Sequence, residues 1–167
     1  MVPLPNDNLL ALFRAIVDIE SVSRNERQLA DAVQDALGGC VHLELVRDGD
    51  ALLARTDLGR SERVLIAGHL DTVPVADNLP SSVTTGPDGI VVHGRGRSDM
   101  KGGGAVMVWL ASRLATPNRD ITWVFYDCEE IEATANGLGR LTAHHPDWFT
   151  GIDLAVLKEP PGALIEG

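Results

Sequence analysis

Segments with helical spacing of apolar residues alternate along the chain with short, continuous apolar runs. The first helical pattern lies within residues 9–17, behind a candidate N-terminal cap at Asn6 or Asp7. A second pattern follows Ser23 and Glu26, whose spacing is typical of a capping box, and ends near Gly38 and Gly39. The apolar residues on the predicted buried face of this second helix are Leu29, Val33 and Leu37.

The remaining apolar runs predict strands, most of them too continuous to have one face in water. Residues 42–46 and 51–54 predict a β-hairpin, because Asp48, Gly49 and Asp50 between them form a typical turn sequence. The polar, proline-rich residues 74–89 predict a loop. Further strands are predicted at residues 64–67, 90–93, 121–126, 154–157 and, beginning another, 163–165.

Helices are also predicted at residues 105–114 and 137–144, between the later strands. Strands that alternate with helices indicate an α/β fold, here a mixed, largely parallel sheet with helices on both faces. In such sheets, ligands bind outside the carboxyl ends of the strands. Residues that carry chemistry are therefore expected directly after strands.

Histidine and carboxylate side chains do follow the predicted strands. A histidine nitrogen together with carboxylate oxygens suits Zn²⁺, and one carboxylate can bridge two ions about 3.5–4 Å apart. Asp71, two positions after His69, could accept the proton on the far ring nitrogen and fix the tautomer. The candidates in chain order are His69, Asp71, Asp99, Glu129, Glu130 and Glu159.

Each of these signals has another interpretation when taken alone. A single His-x-Asp is more often a surface or capping pair than a metal ligand. The glycine-rich residues 94–104 could hold a phosphate before a helix, although their spacing is neither that of a P-loop nor a clean GxGxxG. Glu129 and Glu130 could begin a helix, where acids favour the dipole. The combination, each member following a strand, favours a two-metal site over a phosphate-binding module.

Length, charge and cysteine content narrow the function further. The 167 residues suffice for one domain, and 24 acidic against 14 basic residues give a formal charge of -10. Such a charge disfavours nucleic acid and anionic membranes as partners. No apolar run is long enough to span a membrane, and two distant cysteines favour a reducing, cytoplasmic location. Clustered carboxylates near residues 99 and 127–132 repel one another unless a cation joins them.

Three motifs resemble the zinc aminoacylase and carboxypeptidase-like family of co-catalytic metallohydrolases. They are Gly68-His-Leu-Asp-Thr, Gly94-x-Gly-x-x-Asp-Met-Lys-Gly and the Glu129-Glu130 pair. Longer strings, at residues 67–81, 124–140 and 146–148, resemble a narrower group in that family, the actinobacterial succinyl-diaminopimelate desuccinylases. The resemblance extends from about residue 10 to the last residue.

The resemblance implies a role for each candidate. His69, Asp99 and Glu159 would bind one zinc ion, and Asp99 would bridge to a second ion that Glu130 also binds. Cobalt is an alternative in one of the two positions. Glu129 would be the general base and acid, and Asp71 would orient His69. The resemblance also implies a cis peptide bond between Asp99 and Met100, which the structure can test directly.

The implied reaction is hydrolysis of N-succinyl-LL-2,6-diaminopimelate to succinate and LL-2,6-diaminopimelate, in lysine and diaminopimelate biosynthesis. Another acyl-amino-acid hydrolase or a dipeptidase of the family is the alternative substrate class. Near Glu159 the chain departs from the family, since Lys158 and Pro161 stand where the family usually has Gly and a hydroxyl residue.

Family members are also substantially longer than this chain. We therefore expect residues 1–167 to be the N-terminal part of the catalytic domain, without the dimerisation domain and the C-terminal catalytic segment. A homodimer is expected for the complete enzyme. For this chain alone, self-association and an inactive, metal-binding fragment both stay open. His93, His144 and His145 do not match the family's other histidine positions.

Overall fold

A computed structural model describes residues 3–87 and 89–158 of the chain. Single helical turns lie at Arg97–Lys101 and Pro146–Trp148. The elements in chain order are α1 (Leu9–Asp18), α2 (Arg27–Gly38), β1 (Glu44–Asp48), β2 (Ala51–Arg55), β3 (Arg63–His69), β4 (Ser82–Gly86), β5 (Gly89–His93), α3 (Gly102–Ala111), β6 (Asp120–Tyr126), α4 (Gly137–His144) and β7 (Leu154–Leu157).

Among the residues that the structure describes, five strands form one mixed sheet in the order β1-β2-β6-β3-β7. The β1–β2 hairpin is antiparallel and β2 pairs antiparallel with β6, whereas β3 pairs parallel with both β6 and β7. In the register of the central pair, Ile66 lies opposite Trp123 and His69 lies opposite Tyr126. The carboxyl ends of β3 and β6 therefore meet at the same edge of the sheet.

Helices cover both faces of this sheet, as the sequence predicts. Residues of α1, α2 and α3 pack with Leu52, Trp123 and Phe125 in a large apolar core on one face. On the other face, Leu141 of α4 and Trp148 pack with Leu53 and Val124 in a smaller core. Alternate residues of β2 and β6 enter opposite cores, which explains why these strands lack the polar positions of a one-sided sheet.

The predicted helix starts need two corrections. The α1 cap is Asn8, whose side chain accepts a hydrogen bond from the Ala11 N–H, and neither Asn6 nor Asp7. The capping-box prediction is wrong as well, because α2 begins at Arg27 and the Ser23 hydroxyl donates instead to Asp71. The predicted buried face and the end of α2 near Gly38 are confirmed.

The prediction of strands and loops also needs correction in three places. The polar stretch after residue 74 contains a strand, β4, which among the described residues pairs with β5 in a separate two-stranded sheet. The strand at residues 90–93 therefore does not belong to the main sheet. β7 was expected to be buried, but all four of its residues are exposed, since it is the edge strand of the described sheet. The strand predicted to begin at residues 163–165 lies outside the described residues.

Helix α3 starts at Gly102, three residues before the predicted start, because the glycine-rich loop continues directly into the helix. Its end at Ala111 also precedes the predicted end at residue 114. Helix α4 matches its prediction. Within residues 3–87 and 89–158, no helix combines the length and the apolar character needed to cross a bilayer.

Candidate metal centre

His69 is the last residue of β3, and its side chain is fully buried. Its Nε2 lies 3.1 Å from Oδ1 of Asp99, whose side chain is about half exposed. Its Nδ1 lies 3.0 Å from the main-chain oxygen of Asp71 and 3.3 Å from Oδ1 of the same residue. The ring therefore presents one nitrogen to Asp71 and the other toward the exposed edge where Asp99 lies.

The Asp71 carboxylate is completely buried and accepts several hydrogen bonds. The Ser23 hydroxyl donates to Oδ2 at 2.7 Å, and the N–H groups of Glu129 and Glu130 donate at 2.9 and 3.0 Å. Burial by itself would raise the pKa of this carboxyl, but hydrogen bonds led by the one from His69 outweigh burial and lower the pKa to about 2. Asp71 is thus a fixed anion that connects β3 to the loop after β6.

Glu129 and Glu130 lie in that loop, immediately beyond the carboxyl end of β6. One donor atom from each, together with a ring nitrogen of His69, lie within 4.8 Å of one another. Burial raises the pKa of the Glu130 carboxyl, and the charges of Asp99, Glu129 and Asp71 raise it further, against the effect of His69. The described part of the chain contains no Lys or Arg in an ion pair with either glutamate. The negative charges are thus left to repel one another.

Asp99 reaches the site because the glycine-rich loop can fold closely against β3. Gly96 has a φ of 70°, and a Cβ on it would lie 2.5 Å from Cγ2 of Thr72, which only glycine avoids. The Asp99–Met100 peptide bond is cis, as the resemblance implies. Met100 is buried under β3, where its sulfur accepts the His69 main-chain N–H at 3.2 Å. Asp99 therefore reaches His69 from this loop and not from the end of a strand of the main sheet.

We refer to His69, Asp71, Asp99, Glu129 and Glu130 as the rim site. The structure brings these five predicted residues together, whereas Glu159 lies outside the described residues. The donor set fits a divalent metal. Zinc–ligand bonds of 2.0–2.2 Å in a tetrahedron place neighbouring ligand atoms about 3.3–3.6 Å apart. Nε2 of His69 and Oδ1 of Asp99, at 3.1 Å, are close to that separation. The surplus of carboxylates supplies the charge that such an ion needs.

The other histidines lie away from the rim site. His93 contacts Thr84 and Arg97 beside the two-stranded sheet. His144 and His145 both contact the Asp48 carboxylate, at 2.8 and 3.1 Å.

Supporting residues were missed by the sequence reasoning. Ser23 and Glu26 were interpreted as a helix cap but bond to Asp71 and to Cys128. Lys101, two residues after Asp99, is buried and its ammonium donates to the carbonyls of Val17 and Ile19 at the end of α1. Burial lowers the pKa of Lys101 to about 8, although Asp18 and Glu20 oppose the shift. A lysine between the candidate ligand Asp99 and the apolar helix α3 is the signal that could have indicated Lys101.

Comparison with known proteins identifies relatives over most of the chain. Residues 65–165 match the model of Peptidase family M20/M25/M40. The chain is 51% identical over 158 residues to a Mycobacterium tuberculosis protein provisionally named succinyl-diaminopimelate desuccinylase DapE, covering 94% of this chain and 43% of that protein. It is 43% identical over 162 residues to a succinyl-diaminopimelate desuccinylase of Corynebacterium glutamicum, covering 94% and 42%. The chain thus spans less than half the length of these relatives.

Solved structures show the same fold. Human carnosine dipeptidase 1 superposes with a TM-score of 0.74 at 20% identity, over 91% of this chain and 38% of that one. The Bacillus subtilis YXEP protein, described as a dinuclear metal-binding peptidase, gives 0.60 at 16% identity, over 89% and 41%. At such identities the likeness is one of fold alone.

Proposed function

Since the chain belongs to peptidase family M20/M25/M40, we propose that it carries metal ligands and the general base of a two-metal amidohydrolase. The proposed ligands are His69, Asp99, Glu130 and Glu159, with Asp99 as the bridge between two ions. Zinc is the proposed metal, with cobalt as an alternative in one position. The observation that carries the proposal is the convergence on His69: Oδ1 of Asp99 lies 3.1 Å from its Nε2, and donor atoms of His69, Glu129 and Glu130 lie within 4.8 Å of one another.

The proposed mechanism assigns a task to each side chain of the rim site. Bound metal ions would polarise the amide carbonyl and lower the pKa of water. Glu129 takes a proton from the attacking water and gives it to the departing amine, so that one carboxylate acts as base and then as acid. Asp71 keeps the His69 ring oriented through Nδ1, and it also holds the main chain of Glu129 and Glu130. The mechanism therefore needs the loop after β6 to stay fixed against β3.

The proposed substrate is N-succinyl-LL-2,6-diaminopimelate, hydrolysed to succinate and LL-2,6-diaminopimelate. The names of the relatives at 51% and 43% identity support this choice over other acyl amino acids and dipeptides. The proposal also assigns the complete enzyme to lysine and diaminopimelate biosynthesis in the cytoplasm, as a homodimer. We further propose that residues 1–167 are the N-terminal part of the catalytic domain.

A zinc titration by isothermal calorimetry tests the metal-binding part. The chain is expected to bind zinc, and Glu130→Gln is expected to weaken the affinity at least about 10-fold because a ligand charge is lost. Glu132→Gln is the matched control, since Glu132 lies in the same loop but pairs with Arg24 at the surface. Equal affinities for all three proteins would contradict the proposal.

Turnover measurements test the reaction and the substrate. The zinc-loaded chain is assayed on N-succinyl-LL-2,6-diaminopimelate, an N-acetyl amino acid and a dipeptide, with Glu129→Gln as the inactive control. Preference for the succinyl substrate would support the desuccinylase, and preference for another substrate would favour the alternative classes. Metal binding without any turnover would indicate that residues 1–167 alone are an inactive, metal-binding fragment.

A further inference from the structure

The segment between α1 and α2, residues 21–26, packs across the end of β3 beside the rim site. Main-chain hydrogen bonds join it to the residues after β3: the Thr72 N–H donates to the Ser21 carbonyl at 2.9 Å, and the Ser23 N–H donates to the Thr72 carbonyl at 3.2 Å. The Ser21 hydroxyl, fully buried, donates to the Leu70 carbonyl at 2.7 Å. The segment is therefore bonded to the main chain on both sides of Asp71.

Two side chains connect this segment to its neighbours, that of Ser23 to the residues after β3 and that of Glu26 to the loop after β6. The Ser23 hydroxyl donates to the Asp71 carboxylate, which itself accepts the N–H groups of Glu129 and Glu130. Glu26 is 1% exposed, and its Oε1 accepts the Cys128 N–H at 3.0 Å and the Arg24 N–H at 3.0 Å. A carboxyl group is rarely this deeply buried unless hydrogen bonds satisfy it.

The loop needs such support because its main chain turns sharply before the two glutamates. Cys128 has a φ of 57°, a left-handed conformation that is uncommon for a residue with a side chain. Its N–H points to Glu26, outside the sheet ladder, and its thiol lies 3.5 Å from the same oxygen. Glu26 thus accepts the hydrogen bond of the Cys128 N–H, at the turn that directs Glu129 and Glu130 toward His69.

We propose that Ser23 and Glu26 are positioning residues for the rim site, Ser23 through Asp71 and Glu26 through the main chain of Cys128. The inference rests on the proposed function, because it concerns the same metal ligands. Neither residue is among the proposed metal ligands, and each acts through another residue. Their loss is expected to change how tightly and in which geometry the metal binds, beyond any loss of folding stability.

Cobalt titration of the whole purified chain, followed by visible absorption, tests this proposal, since the spectrum reports ligand geometry. Ser23→Ala and Glu26→Ala are expected to weaken cobalt binding about 10-fold to 100-fold, the range typical for residues that orient ligands, and to alter the spectrum. Ser23→Thr and Glu26→Gln keep the donor and the acceptor, so they are expected to restore both readouts.

Thr56→Ala is the matched control for a purely structural effect. The Thr56 hydroxyl also donates to a buried carboxylate, that of Asp120, at 2.9 Å, but at the opposite end of β6. This variant should lower the melting temperature and leave cobalt affinity and spectrum unchanged. Ser23 is only partly buried, so Ser23→Ala is expected to fold even if Glu26→Ala does not.

Wild-type affinity and spectrum in Ser23→Ala would overturn the proposal, and so would an equal loss of affinity in Thr56→Ala. Failure of the proposed function gives a different result, because the unsubstituted chain itself would then bind no cobalt.

Discussion

Two clusters of histidines and carboxylates lie at the same end of β6, but they are balanced differently. In the Asp48 cluster, formed by Asp48, Asp127, Arg140, His144 and His145, a guanidinium lies between the acids. Arg140 donates to Asp127 at 2.8 and 3.0 Å and to Asp48 at 3.1 Å. In the rim site, four carboxylates surround one histidine, and the described residues supply no Lys or Arg ion pair. The acids of the first cluster are paired with an arginine of the chain, whereas those of the second have no Lys or Arg partner among the described residues.

The comparison shows why histidines and carboxylates can stabilise the fold in one cluster and form a candidate metal site in the other. In the Asp48 cluster no bound ion is needed, because the Arg140 guanidinium donates hydrogen bonds to the acids on both sides. These bonds also join α4 to the β1–β2 turn. In the rim site, burial and, after it, the neighbouring carboxylates raise the pKa of Glu130. A cluster that is unfavourable without a cation is a better candidate for function than one that its own arginine neutralises.

Zinc should produce the largest effect that separates the two clusters. At a free concentration about 100 times its dissociation constant, zinc should stabilise the chain by about 2.7 kcal/mol, or roughly 5–11 °C in melting temperature. Differential scanning calorimetry measures the shift. His69→Ala should abolish it, and His144→Ala should keep it. The opposite pattern would locate the metal at the Asp48 cluster.

Arg140→Met should have the next largest effect, on stability alone. It leaves the Asp48 and Asp127 carboxylates without their guanidinium, and we expect a loss of about 2 kcal/mol, less than for a fully buried pair because Arg140 is partly exposed. Urea unfolding measures the loss. Arg119→Met, which removes a surface pair with Glu62, should cost at most about 0.5 kcal/mol. Equal losses in the two variants would remove the distinction between the clusters.

Asp48→Asn should show the contribution of the Asp48 cluster through the pH dependence of the free energy of unfolding. Burial opposes ionisation of Asp48, but hydrogen bonds from His144, Arg140 and His145 outweigh it and lower the pKa below 3.8. A carboxyl with a lowered folded-state pKa contributes stability above its unfolded pKa and loses it as pH falls through the folded value. The stability difference between wild type and Asp48→Asn, about 1 kcal/mol near neutral pH, should therefore shrink below pH 3.8. A difference that is constant down to low pH would count against this account.

Glu130→Gln should change the free energy of unfolding the least, and it should raise that free energy where the other substitutions lower it. Removing one of several mutually repelling carboxylates should stabilise the metal-free chain by about 0.5 kcal/mol, as for a partly exposed charge pair. Unfolding in the presence of a chelator measures it, with Glu132→Gln as the control that should give no gain. Destabilisation by Glu130→Gln in chelator would mean that the rim acids are balanced without a metal.

Much of the fold could be predicted because its strands and helices are marked by local pattern. The β1–β2 hairpin, α2, β6 and α4 follow from apolar runs and turn residues alone. The two-stranded sheet could not be predicted in the same way. Strand β5 was predicted from its apolar residues at 90–93, but β4 is exposed and has no continuous apolar run, so neither β4 nor its pairing with β5 could be predicted.

The residues of the rim site were predicted one by one, but the residues that support them were not. His69 ends β3, and Glu129 and Glu130 follow β6, which pairs parallel with β3, so topology alone brings them to one edge. The three-residue spacing of Ser23 and Glu26 is compatible both with a helix cap and with the hydrogen-bond network that they form. Only the tertiary approach of residues 21–26 to Asp71 and Cys128 distinguishes these two uses, and no local pattern encodes that approach.

Anomalous diffraction from a zinc-soaked crystal of this chain tests the central claim most directly. The account predicts a zinc peak about 2.0–2.2 Å from Nε2 of His69, with carboxylate oxygens of Asp99 or Glu130 at similar distances. A crystal in which zinc lies only at His144 and His145, or in which His69 has no metal at saturating zinc, would contradict it.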